Sequence, residues 1–224
     1  MIRAVLFDLD NTLLDFISVK KKSVDAAILA MIEAGLMIDR QVARDSIFEI
    51  YNKKGYEYQE VFDDFLISKI GKLDYKILAS AIVAYRKTKE ASIMLYPNVG
   101  NTLIKLAKDG YKLAVLSDAP SREAWVRLYS VNLHHLFDVV VTYNDTNKLK
   151  PSPEPFNKAA ELLKVSTEEI IMVGDWPDRD VVGAKSVGMK TAFAKYGDVF
   201  NTKKSGADYD LENISELLKI VEND

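Results

Sequence analysis

The segment FDLDNTLLDF, residues 7–16, decides how the rest of the chain is read. It continues an apolar run, Ile2, Ala4, Val5 and Leu6, with the character of a buried strand. It then sets Asp8 and Asp10 on one side of an extended backbone, with Thr12 following. A single carboxylate at a strand end can cap a turn. Two facing the same way repel each other and call for a cation or a proton.

Working outward, residues 112–117, 138–142, 169–174 and 190–194 are short, apolar and rich in β-branched side chains, like residues 2–7. Runs of that kind predict strands buried on both faces, as in a parallel sheet. Segments of helical period lie between them. Val99, Leu103, Leu106 and Ala107 share one face, Phe156, Ala159, Ala160 and Leu163 another, and Ile214, Leu217, Leu218 and Val221 a third. Strands alternating with helices predict an α/β fold, a doubly wound, mostly parallel sheet with a Rossmann-like core and functional groups at the carboxyl ends of the strands.

Residues 16–92 break the alternation. They carry helical stripes at Val24, Ile28 and Met31, at Ile47, Ile50 and Tyr51, and at Tyr75, Leu78, Ile82 and Tyr85, punctuated by Gly35, Gly55 and Gly71. The expected organisation is an α/β core from residues 1–15 and 93–224, with an all-helical cap inserted over 16–92 as a lid on the strand ends.

Composition narrows the function. Of 224 residues, 48% are apolar, enough for a sizeable core. Thirty basic residues against 33 acidic ones leave a net charge of −3 with no block of one sign, which argues against a nucleic-acid partner. The absence of cysteine excludes disulfides, thiolate metal sites and a cysteine nucleophile. No uncharged apolar run reaches the roughly 18 residues of a membrane span, and Asp8 interrupts the first apolar run too early for a signal-peptide core. A soluble cytoplasmic protein is expected.

The predicted strand ends carry the chemistry. Strand one runs into Asp8, Asp10 and Thr12, strand two into Ser117 and Asp118, and strand four into Gly174, Asp175 and Asp180; Lys150 and Pro151 follow strand three. In an open parallel sheet these ends share one crevice. Several carboxylates gathered there need a hard divalent cation with oxygen ligands, and Mg²⁺ takes one or two carboxylates together with a phosphate oxygen. The Lys150 ammonium and the Thr12 and Ser117 hydroxyls are the groups expected to cradle the remaining phosphate oxygens.

In this order the motifs resemble those of the haloacid dehalogenase-like hydrolases: Asp8-x-Asp10-x-Thr12, then Ser117, then Lys150 before a proline, then Gly174-Asp175 with Asp180. The resemblance covers essentially the whole chain, including the helical insert, which looks like that family's small cap. It favours the phosphatase branch over the dehalogenase branch, since dehalogenases typically lack the second aspartate and this chain has Asp10.

The resemblance implies that Asp8 attacks phosphorus and that Asp10 serves as general acid, then base. It implies Mg²⁺ bound by the Asp8 carboxylate, the Asp10 backbone carbonyl and Asp175, with Asp180 an acceptor orienting waters or Lys150. Thr12, Ser117 and Lys150 would hold the phosphoryl group. Asp118 stands where many members carry Asn, bringing a further acid beside the phosphate. The implied partner is a small phosphorylated metabolite such as a sugar phosphate, phosphoglycolate or glyceraldehyde phosphate, turned over by a monomer or homodimer. A phosphomutase of the same family and a receiver domain phosphorylated without turnover are the alternatives.

Elsewhere plainer readings lead. His134 and His135 read as a helix end rather than a metal site, and Lys20 to Lys22 as a solvated helix start. The segment from Tyr51 to Tyr58, with Lys53, Lys54 and Tyr56, and also Arg122 are candidates for touching substrate. Trp176 and Pro177 either narrow the entrance or pack.

Overall fold

Four consecutive apolar residues with no polar face can all be buried only in a sheet covered on both sides, and Ala4–Phe7 (β1) is such a strand. The computed structural model, which describes residues 1–223, builds the sheet from β1, β2 (Lys112–Leu116), β3 (Val139–Val141), β4 (Ile170–Gly174), β5 (Lys190–Ala194) and β6 (Tyr209–Leu211). Every pairing is parallel, in the order β3-β2-β1-β4-β5-β6. Phe7 lies opposite Val115 of β2 and Val173 of β4, so the ends of these three strands are level. The strand order reverses between β1 and β4, which is where a doubly wound sheet opens a crevice at its carboxyl edge.

In chain order the helices are α1 (Phe16–Glu33), α2 (Arg40–Lys54), α3 (Val61–Ile70), α4 (Tyr75–Ser92), α5 (Val99–Lys108), α6 (Ser121–Ser130), α7 (Tyr143–Thr146), α8 (Pro153–Leu163), α9 (Asp180–Ser186) and α10 (Leu217–Glu222). One sheet face, with Ala4, Leu6, Leu116 and Met172, packs on Phe156, Ala159 and Leu163 of α8 and on Ala184 of α9. The alternate residues Val5, Phe7, Val115 and Val173 are equally buried, so the opposite face is covered too. Each large side chain so buried contributes about 1.5–3 kcal/mol.

The chain divides into two compact units, Met1–Asp15 with Met94–Asp224, and Phe16–Ile93. Within the first, the outgoing and returning segments pair: Asp15 N donates to Met94 O at 3.3 Å and Tyr96 N to Leu13 O at 3.0 Å. The second unit is helical throughout. Asp39 and Asp74 cap α2 and α4 by accepting from the amides two and three residues on. Val24, Ile28 and Met31 of α1 close its core with Ile47, Phe65 and Leu78.

Several expectations need correction. The edge strand β6 had no sequence signal, because three residues with two of them exposed leave no apolar run. It is held by Asp208, which accepts from the Thr191 amide and hydroxyl, both at 2.8 Å. The histidine pair lies in a turn, since α6 stops at Ser130 and Asn132 takes φ 56°. The His134 ring stacks on Tyr129 with centroids 3.9 Å apart. Lys20 is buried, unlike Lys21 and Lys22. Its Nζ donates to Tyr56 O at 2.7 Å and lies 4.5 Å from the Tyr51 ring centre and 5.4 Å from those of Phe16 and Tyr85.

Candidate active site

Asp8 is the first polar side chain after β1, and its amide extends the ladder by donating to Val173 O at 2.8 Å. A tight turn follows. The amides of Leu13 and Leu14 donate to Leu9 O at 3.0 and 3.1 Å, and Asn11 takes φ 61°, a conformation that asparagine tolerates better than most residues. The turn carries Thr12 back over the strand end. Its hydroxyl contacts Asp8 Oδ2 at 3.2 Å and Asp175 Oδ1 at 3.4 Å. From behind, the Tyr196 hydroxyl donates to Thr12 O at 2.9 Å.

Lys150 reaches the same point from the loop before α8. Its backbone amide is fixed by Asp118 Oδ1 at 2.9 Å. Its Nζ lies 2.5 Å from Asp8 Oδ1, 2.7 Å from Asp180 Oδ1 and 3.3 Å from Leu116 O. Burial works against the ammonium, yet the charges of Asp180, Asp8 and Asp118 together hold the lysine protonated, above its ordinary range.

Asp175 and Asp180 come from the end of β4. The turn after Asp175 places Asp180 at the start of α9, where its Oδ2 accepts from the Trp176 amide at 3.0 Å. Burial, reinforced by Asp8 and Asp180, pushes the Asp175 carboxyl well above the usual carboxylate range. Burial also raises Asp180 to about 6, with Asp8 adding to the rise and Lys150 and the Trp176 amide opposing it.

Carboxylate oxygens of Asp8, Asp175 and Asp180 all lie within 4.8 Å of one another, and all three residues are buried. Among the described residues only Lys150 pairs with this cluster, so ionising all three carboxylates would leave an excess of two negative charges. Hard oxygen donors around such an excess fit a divalent cation of the magnesium type.

The family model described as Haloacid dehalogenase-like hydrolase matches residues 5–194, most of the chain. The chain belongs to the haloacid dehalogenase-like hydrolases. It is 34% identical over 229 residues to a glyceraldehyde 3-phosphate phosphatase of Methanocaldococcus jannaschii, covering 100% of this chain and 98% of that protein. It is 30% identical over 233 residues to the pyrophosphatase PpaX of Bacillus cereus, covering 99% and 97%. Among solved structures, a HAD phosphatase from Thermococcus onnurineus superposes with a TM-score of 0.70 at 28% identity, covering 98% of each chain. The protein is accordingly a phosphatase of this family, a hydrolase of phosphate esters. Among the described residues, no helix is long and apolar enough to cross a membrane.

For this haloacid dehalogenase-like hydrolase the structure brings Asp8, Thr12, Lys150, Asp175 and Asp180 into one contact network. Ser117 is buried at the end of β2, and its Oγ accepts from the Ala119 amide at 3.1 Å. Asp118 turns its oxygens to the Lys150 amide and to Arg179, 3.0 Å away. Asp10 points its side chain at Arg127, with Oδ2 2.7 Å from the guanidinium. Neither Arg127 nor Tyr196 was singled out by the sequence. A signal for Arg127 existed in its spacing from Ala124 and Leu128, which puts it on the buried face of α6.

The other candidates find partners near by. Trp176 lies under the Arg179 guanidinium at 3.8 Å and against Phe200 at 4.5 Å, and Pro177 is buried. Arg122 is exposed beside Glu123. In the helical unit Tyr51 is core and stacks on Tyr56, Lys53 pairs with Glu49 at 2.6 Å, and Lys54 pairs with Asp64 at 2.7 Å.

Proposed function

We propose that this phosphatase hydrolyses a small phosphorylated metabolite, a three-carbon sugar phosphate of the glyceraldehyde 3-phosphate type being the first candidate, in a Mg²⁺-dependent reaction through an aspartyl-phosphate on Asp8. The observation that carries the reading is Asp8 itself, buried at the switch point with Lys150 Nζ 2.5 Å from Oδ1 and carboxylate oxygens of Asp175 and Asp180 within 4.8 Å of its own. The substrate class follows the name of the 34% identical relative, which matches this chain from end to end.

In the first half of the reaction an oxygen of Asp8 attacks phosphorus as the ester bond to the leaving alkoxide breaks. Asp10 gives that alkoxide its proton. In the second half water attacks phosphorus, Asp10 takes the water's proton, and inorganic phosphate leaves with Asp8 restored as carboxylate. Lys150 and the Thr12 and Ser117 hydroxyls hold the phosphoryl oxygens, and their task is positioning and charge stabilisation. Asp8, Asp175 and the Asp10 carbonyl would hold a magnesium ion, which would neutralise charge shared between the phosphoryl group and the carboxylates. Asp180 anchors Lys150. The helical unit Phe16–Ile93 takes the role of cap in this reading.

The test is phosphate release from glyceraldehyde 3-phosphate and a panel of related monoesters, with Mg²⁺ or with EDTA. Many turnovers with Mg²⁺, loss with EDTA, and loss in a folded Asp8→Asn variant are expected. Turnover by Asp8→Asn comparable to that of the unaltered protein would require another nucleophile.

A further inference from the structure

We infer that Arg127 is a positioning residue for proton transfer at Asp10, an inference that rests on the proposed role of Asp10 as general acid and base. Arg127 projects from the second turn of α6 and is among the largest fully buried side chains, 2% exposed. An arginine is almost never so buried without a partner that repays its desolvation, and here the guanidinium meets Asp10 Oδ2 at 2.7 Å.

The two aspartates of the first motif are therefore assigned to different cations. Asp8 goes to Lys150, which also holds Asp180, while Asp10 goes to Arg127. Both carboxylates stand at the end of one strand, and without separate anchors either cation could draw either of them. The planar guanidinium also fixes direction, because its N–H groups are set in a rigid fork. With Oδ2 of Asp10 held by Arg127 Nη1 at 2.7 Å, proton exchange with the leaving oxygen falls to Oδ1. A displacement near 1 Å in such a group can cost about a hundredfold in rate.

The helix is itself tied to the strand ends. The Ser121 amide donates to Asn144 Oδ1 at 2.8 Å, and the Tyr143 amide to Ala119 O at 3.2 Å, so the base of α6 is pinned to the segment after β3. Arg127 is thus mounted on a fixed support. That is what a positioning group needs.

The experiment uses the leaving group as its readout. The 224-residue chain with Mg²⁺ is assayed on 4-nitrophenyl phosphate, whose leaving group departs without a proton, and on glycerol phosphate, whose alkoxide requires one. The value compared is kcat/KM, which reports steps up to departure of the leaving group. In Arg127→Met the ratio of alkyl to aryl kcat/KM should fall at least about tenfold, a part of the hundred- to ten-thousandfold that general acid catalysis contributes in all. Arg127→Lys, which keeps charge and most of the volume, should fall between Arg127→Met and the unaltered protein, with a melting temperature close to the latter. If Arg127→Met does not fold, the ratio in Arg127→Lys alone decides.

A uniform loss on both substrates, or an unchanged ratio in folded variants, overturns the inference. Asp10→Asn separates the two layers. If that variant leaves the alkyl-to-aryl ratio unchanged, the role of Asp10 falls; if it lowers the ratio and the Arg127 variants do not, only the role of Arg127 falls.

Discussion

Gly174→Ala is a change of one methyl group, yet its cost can be worked from the structure. A Cβ built on Gly174 would lie 2.3 Å from Asp180 Cγ and Oδ2 and 2.5 Å from its Cβ, far inside the roughly 3.5 Å of contacting carbons. Asp180 has little freedom to retreat. Its Oδ1 is 2.7 Å from Lys150 and its Oδ2 accepts from the Trp176 amide at 3.0 Å. Either the carboxylate swings away and a buried ion pair is broken, at about 3–5 kcal/mol, or the start of α9 is pushed outward, at about 1–3 kcal/mol for overpacking. The easier route sets the loss, about 1–3 kcal/mol.

Both tryptophans, Trp125 and Trp176, belong to the unit containing the sheet, so their fluorescence during urea or thermal unfolding reports on that unit alone. At roughly 2–4 °C per kcal/mol, Gly174→Ala should melt about 2–12 °C below the unaltered protein. The decisive comparison repeats the substitution in an Asp180→Gly background, where every atom in the clash is absent. There the same step should cost less than about 0.5 kcal/mol, giving a coupling of at least about 0.5 kcal/mol. Equal costs in the two backgrounds would refute the claim that Gly174 is glycine because of Asp180.

Two further outcomes follow from the same geometry. In Gly197→Ala the new Cβ would fall 1.6 Å from the Asn11 carbonyl oxygen, a backbone atom in the turn between Asp10 and Thr12, so that turn must move. Phosphatase activity should drop about a hundredfold or more, out of proportion to any fall in melting temperature; retention of activity would show that the turn is softer than its hydrogen bonds imply. The second concerns pH and metal. Asp180 is raised to about 6 and Asp175 is raised in the same direction, so between about pH 4 and 6 this buried pair binds more protons in the folded protein than in the unfolded chain. Stability of the EDTA-treated protein should therefore fall as pH rises through that window, by up to about 1.4 kcal/mol per unit for each titrating carboxyl. Added Mg²⁺ should stabilise more at pH 7.5 than at pH 5, and equal Mg²⁺ shifts in melting temperature at the two pH values would count against the acidic cluster as the metal site.

What the sequence made legible, and what it concealed, divides along a physical line. Strands β1, β2, β4 and β5 are readable because a sheet covered on both faces demands unbroken apolar runs, and the polar residues that end such runs stand out by contrast. Asp8, Ser117 and Asp175 are visible for that reason. Strand β6 is not, because its pairing rests on backbone bonds and on Asp208, with little apolar surface to mark it. Arg127 and Lys20 were hidden differently. Each is a cation in a helix, where the default expectation is a solvated side chain, yet each sits on the buried stripe of its own helix. Arg127 follows Ala124 by three and precedes Leu128, and Lys20 precedes Val24 by four on the stripe that continues to Ile28 and Met31. Burying such a charge requires a partner that outweighs its lost hydration, so a cation out of place on an apolar stripe predicts an anion or a cage of rings opposite it. The structure supplies one of each, Asp10 for Arg127 and the rings of Phe16, Tyr51 and Tyr85 for Lys20. A misplaced charge in helical register is therefore as informative as a misplaced carboxylate at a strand end, and here it leads to the aspartate on which the proposed proton transfers depend.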